Sequence, residues 1–465
     1  MNWITRTELG SGPATGSGTC LLSLVLMSDV QVVDTLSPAR CEWVELLAGE
    51  PRWQPLLPMH RPHEALTHWA LAAHVNALHR HPVAPCSQRP FDLALSLGDN
   101  IDNAQHNELE AFLAIVAGGS AQLSAFGGVH EPDDRVQPWP YWCPDAAVDD
   151  LYKRQGYPAV ADYLGRASSP VCSPGLGFPW ASVPGNHDLM RQGTALPLGA
   201  IEQIAVGGHK TLVRPDGFDP VDPLAAFVQT PDAFSCGGQR TVAAVAARRA
   251  VSMAEWIAAH VAAGAAGYTA DNLRLGNADA VIDTEQVRII LLDTNHPFGD
   301  YQGSVGAAQL DWLEMQLAQV DHQPGRLAIL ASHHGSVSLT NMLGADPERR
   351  HTSALTAVLH RHRCLVAWLV GHRHLHEVRP HPGSAGGFWE ISTGSLIDWP
   401  VQTRAVELLR HPGGAVEIVC SLQDHHASEG SLAHLHHSLA RRFAGHQGAA
   451  MQGLPEDGNV RLWRP

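Results

Sequence analysis

The stretch LLSLVLMSD, residues 21–29, is an apolar run that stops at an acid, and Val30 and Gln31 follow it. An apolar run of this length is either a targeting segment or a buried strand, and its flanks decide between the two. The preceding residues, MNWITRTELGSGPATGSGT, provide no basic region leading directly into an apolar core, as a signal peptide would require. Residues 21–28 are therefore predicted as a core strand, with Asp29 and Gln31 in the loop at its end.

Five further runs share this form: FDLALSLGD, WASVPGNHD, VRIILLDTN, RLAILASHH and CLVAWLVGH. Each is short, β-branched or Leu-rich, and closes in polar residues, as strands buried on both faces do. Open α/β sheets place their sites in the loops beyond strand C-termini, so the polar endings mark one candidate site. The stretches HEALTHWALAAHVNALHR, RTVAAVAARRAVSMAEWIAAHVAAG and GAAQLDWLEMQLAQV have the apolar spacing of helices packed on a sheet. The predicted class is α/β.

A chain of 465 residues can bury a large core. We read it as an N-terminal segment (1–20), one enlarged domain (21–420) with long ordered insertions near 35–90, 104–180 and 190–285, and a His-rich tail (421–465). That tail is expected to form one short helix with surface histidines, then a Gly-rich end. Most Trp residues of the insertions are expected to be core anchors. A net charge of -15 argues against broad binding of a phosphate backbone, so nucleic acid is not the expected partner. The eight cysteines contain no Cys-x-x-Cys pair and are read as buried free thiols. No apolar stretch approaches the roughly 20 residues that span a bilayer.

The clusters closing these strands are, in order, Asp29-Val30-Gln31, Gly98-Asp99, Gly185-Asn186-His187-Asp188, His333-His334 and Gly371-His372-Arg373-His374. Alone, a Gly-Asp is a turn and a His pair is a solvated surface feature. Together they hold the inventory for two divalent cations about 3.5–4 Å apart, which can orient a phosphate ester and stabilise its displacement. Such a pair needs a bridging carboxylate plus oxygen and imidazole ligands on rigid strand ends.

The ordered pattern resembles the calcineurin-like metallophosphoesterase superfamily, whose motifs read Asp-x-His, Gly-Asp, Gly-Asn-His-Asp/Glu, His and Gly-His-x-His. The stretches LLDTNHPFGDYQGSVGAAQLDWLE and GGFWEISTGSLIDWPVQTRAVEL also look like those of a bacterial, largely actinobacterial group with long inserts. The resemblance implies a four-layer α/β/β/α sandwich of two mixed β-sheets, with the stretches FWEISTGSLIDWP, TRAVELLR and GAVEIVC adding strands to the second sheet. It implies a hydrolase that cleaves a small phosphomonoester or phosphodiester with a hydroxide held at a dinuclear metal centre. By position, Asp29 and His374 would hold the first metal and Asn186, His333 and His372 the second, with Asp99 bridging. His333 is chosen over His334 because the first His of such a pair is the usual ligand. His187 would protonate the leaving oxygen or steady the phosphate, and Asp188 would fix its tautomer. Asn103 would touch the phosphate or the attacking water, or else stabilise its loop. Arg373, between two ligands, is expected to point away.

Gln31 departs from the pattern, which has His there. Its amide oxygen is a harder and weaker donor than imidazole. It either ligates the first metal, favouring Mg or Mn there, or contacts only a water on it. Mn, Fe or Zn are otherwise the ions implied. Two other readings stay open: a non-catalytic metal-binding or scaffold protein with a degenerate site, favoured by Gln31 alone, and a nuclease, which needs a positive track. On this sequence the chain is expected to be cytoplasmic. The resembled group often carries a twin-arginine export signal, which leaves export open.

Overall fold

A computed structural model describes residues 2–12, 18–123, 128–133, 138–447 and 453–464. Parts of the segments read as insertions (124–127 and 134–137) and of the Gly-rich end (448–452) lie outside the described residues.

Thirteen strands build two mixed sheets. In chain order they are β1 (Ile4–Arg6), β2 (Thr19–Met27), β3 (Leu93–Ser96), β4 (Trp180–Ser182), β5 (Ala280–Asp283), β6 (Val287–Leu292), β7 (Leu327–Ser332), β8 (Leu365–Val370), β9 (Glu377–His381), β10 (Phe388–Ser392), β11 (Thr403–Arg410), β12 (Val416–Gln423) and β13 (Val460–Arg464). The first sheet runs β1-β13-β12-β11-β2-β3-β4, and the second runs β9-β10-β8-β7-β6-β5. Strands β2, β3 and β4 are mutually parallel, as are β6, β7, β8 and β10. Each parallel set thus presents its C-terminal loops at one end of its sheet.

The apolar runs read as continuous because both faces of their strands are covered. In β6, Ile289 and Leu291 belong to the cluster that holds Val25 and Leu26 of β2. The alternate residues Ile290 and Leu292 belong to a second cluster, with Leu313 and Leu317 of α1 (Ala307–Asp321) and Leu355 and Leu359 of α2 (Thr352–Leu359). That period of two is the strand's own. Each such side chain, fully buried, contributes about 1.5–3 kcal/mol, which holds the strand ends at the site rigid.

Three expectations need correction. The helix expected over 240–264 covers only Met253–Ala262. Ser252 Oγ accepts the Glu255 N–H at 3.3 Å while the Glu255 carboxylate accepts the Ser252 N–H at 3.0 Å, a reciprocal cap that starts the helix there. Upstream, buried Arg248 is drawn to Asp34 at 2.7 Å. Of the strands assigned to the second sheet, only Phe388–Ser392 joins it. Thr403–Arg410 returns to the first, beside β2, and Val416–Gln423 pairs with its other edge. In the tail, Val460–Arg464 pairs with both Val416–Gln423 and Ile4–Arg6, and His436 is fully buried, its ring 5.0 Å from that of His63.

All eight cysteines are free, four of them buried, with Cys172 and Cys236 exposed. Trp43, Trp53, Trp139 and Trp142 in the insertions are fully buried. No helix among the described residues is long and apolar enough to cross a membrane.

Candidate metal centre

The loops after β2, β3, β4, β7, β8 and β10 meet where the two sheets abut. Leu396 N–H donates to Ser28 O at 3.0 Å and Ile397 N–H to Asp29 O at 3.1 Å, tying the second sheet's last loop to the first sheet's strand end. Backbones cross so closely here that a Cβ on Gly98 would lie 2.7 Å from both Gly185 N and His333 Nδ1, at a φ of +93°. Asp29, Gln31, Asp99, His372 and His374 all adopt positive φ, between 46° and 67°. Non-glycine residues take that conformation at a cost, of order 1–3 kcal/mol each, that surrounding structure must offset. Its concentration on five candidate ligands marks the region as a site.

Asp99 stands at the junction. Its Oδ1 accepts the His187 N–H at 2.8 Å, and its Oδ2 lies 3.2 Å from His333 Nε2. His333 Nδ1 donates to Leu97 O at 2.7 Å, so Nε2 turns its lone pair toward Asp99 and toward Asn186 Oδ1, 2.9 Å away. Asn186 Oδ1 is also 3.2 Å from His372 Nδ1. On the other flank, His374 Nδ1 donates to Asp398 Oδ2 at 2.7 Å, and Nε2 faces Asp29 Oδ1 at 3.3 Å. Two imidazoles thus aim lone pairs at oxygens that are themselves acceptors, an arrangement that requires a proton or a cation between them. Asp29 Oδ1 and Gln31 Oε1 are moreover buried without a hydrogen-bond partner. Each such orphan acceptor costs about 1–3 kcal/mol.

The titration behaviour carries the same message in its proton form. Burial opposes a charge on His333, yet Asp99 outweighs it and lifts this histidine to about 9. Burial likewise opposes a charge on His374, and Asp29, then Asp398, lift it to about 9. Burial with His334 and His333 holds His372 well below its ordinary value. The donor set of two carboxylates, three imidazoles and two amide oxygens fits divalent first-row ions or Mg.

His334 lies within reach of His333 and His372. Both its nitrogens are nevertheless committed, Nδ1 to Thr294 Oγ1 at 2.9 Å and Nε2 to Tyr301 O at 3.0 Å.

The residues around His187 differ in placement from the sequence reading. The Asp188 carboxylate accepts from Gly185 N at 2.8 Å and Asn100 N at 3.1 Å, closing the turn, and burial followed by the nearby Asp99 raises it to about 7. The carboxylate beside the His187 ring is that of Asp102, whose Oδ1 and backbone oxygen lie 3.2 and 3.0 Å from Nδ1. Asn103 turns from the cavity and donates to Asp102 Oδ2 at 2.9 Å and Glu108 Oε1 at 3.1 Å. Arg40 pairs with Asp102, Glu64 and Glu42. Sequence reasoning missed Asp102, three residues after Asp99. It also missed Asp398, which accepts from Arg61 Nε and Nη2 at 2.8 and 3.0 Å as well as from His374. Arg373 is exposed, 3.6 Å from Glu377.

Asp398 fixes which nitrogen of His374 faces Asp29 and makes that nitrogen more basic. We expect Asp398→Asn to weaken binding of one metal equivalent about 10–100-fold, read by calorimetric titration of metal-stripped protein. Unchanged affinity for both equivalents would remove Asp398 from the site.

No family model matches the chain, and no curated protein is similar to it in sequence. Solved structures do match. A dimetal phosphatase from Danio rerio is 12% identical, with 88% of this chain and 97% of that one covered at a TM-score of 0.44. A Staphylococcus aureus protein described as a 5'-nucleotidase, in complex with alpha-ketoglutarate, is also 12% identical, with 90% of this chain and 58% of that one covered at 0.34. Both likenesses are loose.

Proposed function

We propose that the chain is a metal-dependent phosphoesterase of the calcineurin-like type, built as a four-layer α/β/β/α sandwich and acting on a phosphomonoester or phosphodiester. The observation that carries this reading is the pair of imidazole lone pairs, on His333 and His374, directed at acceptor oxygens on either side of Asp99. Asp29, His374 and Gln31 would hold one ion and Asn186, His333 and His372 the other, with Asp99 shared. The orphaned Gln31 oxygen supports direct ligation. His333 is preferred to His334 because its Nε2 faces only the candidate ligand oxygens of Asp99 and Asn186, whereas both nitrogens of His334 are held by Thr294 and Tyr301.

When bound, two divalent ions supply Lewis acidity at the phosphoryl oxygens and a nucleophile at neutral pH. The chain's own residues do the rest. Asp102 holds the His187 Nδ1–H, which leaves Nε2 as the nitrogen that can carry a proton to the leaving oxygen from a ring lining the cavity. Burial opposes charge on that ring, and Asp99 and then Asp102 favour it. Asp188 and Asn103 support the two loops from behind.

Metal-stripped protein given a generic phosphomonoester and the matching diester should turn over only after Mn, Zn, Fe or Mg is added. Absence of turnover with all four ions would overturn the reading in favour of a degenerate site.

A further inference from the structure

A cavity of about 500 Å³ opens over the candidate centre. Its size is that of a small-ligand site. Among the described residues, the Arg or Lys side chains that line it are Arg61 and Arg373. Arg61 is engaged with Asp398 through two nitrogens, and Arg373 lies beside Glu377. Asp99 and Asp398 line the same space, and the whole chain carries -15. Beyond the candidate metal ligands, a second phosphate, or the backbone of a polymer, finds no Arg or Lys free of a carboxylate partner among these lining residues.

The other walls are apolar or neutral. The insertion contributes Pro55, Leu57 and Pro58, and separate loops add Tyr301 and Val337. This part of the insertion is a fixed wall, because Trp53 just before Pro55 is fully buried, 5.8 Å from Trp43 and 6.3 Å from Phe234, and Gln192 Nε2 donates to Met59 O at 3.0 Å. Tyr301 stacks along His372 with centroids 6.2 Å apart at 19°, so its ring borders the space next to a candidate ligand.

We propose that this cavity selects a single phosphate ester of an uncharged, largely apolar alcohol of aryl size, with Leu57, Val337 and Tyr301 receiving the leaving group. This rests on the phosphoesterase reading above and goes beyond it by naming the substrate class.

The test is calorimetric binding of phenylphosphonate, methylphosphonate and a nucleoside diphosphate to the full, metal-loaded chain, run beside hydrolysis of phenyl phosphate. Phenylphosphonate should bind at least about tenfold more tightly than methylphosphonate, the discrimination an apolar pocket gives, and more tightly than the diphosphate. Leu57→Asp should bring the phenyl-to-methyl ratio close to one, and Leu57→Met should keep it. Val337→Asp, at a residue 39% exposed, should reduce the ratio without endangering the fold. Equal affinity for the two phosphonates, no binding of either, or preference for the diphosphate overturns the inference. Discrimination without hydrolysis would defeat the phosphoesterase reading and leave the ligand class standing. Hydrolysis without discrimination would do the reverse.

Discussion

Asp99→Asn is expected to reduce metal-dependent phosphoester hydrolysis on the order of 10³-fold, corresponding to about 4 kcal/mol of lost stabilisation. Asp99 is the one carboxylate placed between both sets of candidate ligands, with Oδ2 3.2 Å from His333 Nε2. The substitution keeps the shape and the oxygen that accepts the His187 N–H at 2.8 Å. It removes the charge that favours a cation between the two flanks. Two readouts separate this from a folding defect. Bound metal, measured after dialysis, should fall from two equivalents to one or fewer, while the circular dichroism spectrum stays that of the parent. A variant that retains both metals and its turnover would remove Asp99 from the bridging position and with it the dinuclear arrangement.

The strand ends were legible because their signal is local. LLSLVLMSD, RLAILASHH and CLVAWLVGH each encode a run buried on both faces and a polar stop, and the chain needs no distant information to form them. What could not be read was partner choice across long separations. His187 takes its carboxylate from Asp102, 85 residues away by sequence number through the backbone contact, while adjacent Asp188 serves the turn. Asp398 meets Arg61 across 337 positions. The first pairing joins the loops after two neighbouring strands of the first sheet, and the second exists only because the second sheet's last loop folds against the first sheet's insertion; no spacing rule encodes either. The same limit misassigned Thr403–Arg410, whose alternation suits either sheet and whose place beside β2 is fixed by pairing along Leu26–Thr19. The 240–264 stretch failed for a local reason, since the Ser252–Glu255 cap is stronger than the apolar spacing upstream of it.

His187→Ala is expected to lower kcat by about 10²–10⁴-fold for esters of poor leaving groups, the span that a positioned general acid supplies. The effect should shrink as the leaving group becomes more acidic, because a nitrophenolate departs with little need of a proton and an alkoxide does not. The geometry makes this specific to one nitrogen. Asp102 engages Nδ1 from two oxygens and is itself pinned by Arg40 and by Asn103 at 2.9 Å, so the ring cannot exchange its tautomer freely. Asp102→Asn should therefore reproduce part of the His187 defect, with the same dependence on leaving group, while leaving bound metal unchanged. A uniform loss across leaving groups in His187→Ala would assign the ring to holding the phosphate instead. Loss of metal in that variant would show that the ring, 18% exposed and hydrogen-bonded through its backbone to Asp99, acts by organising the bridge.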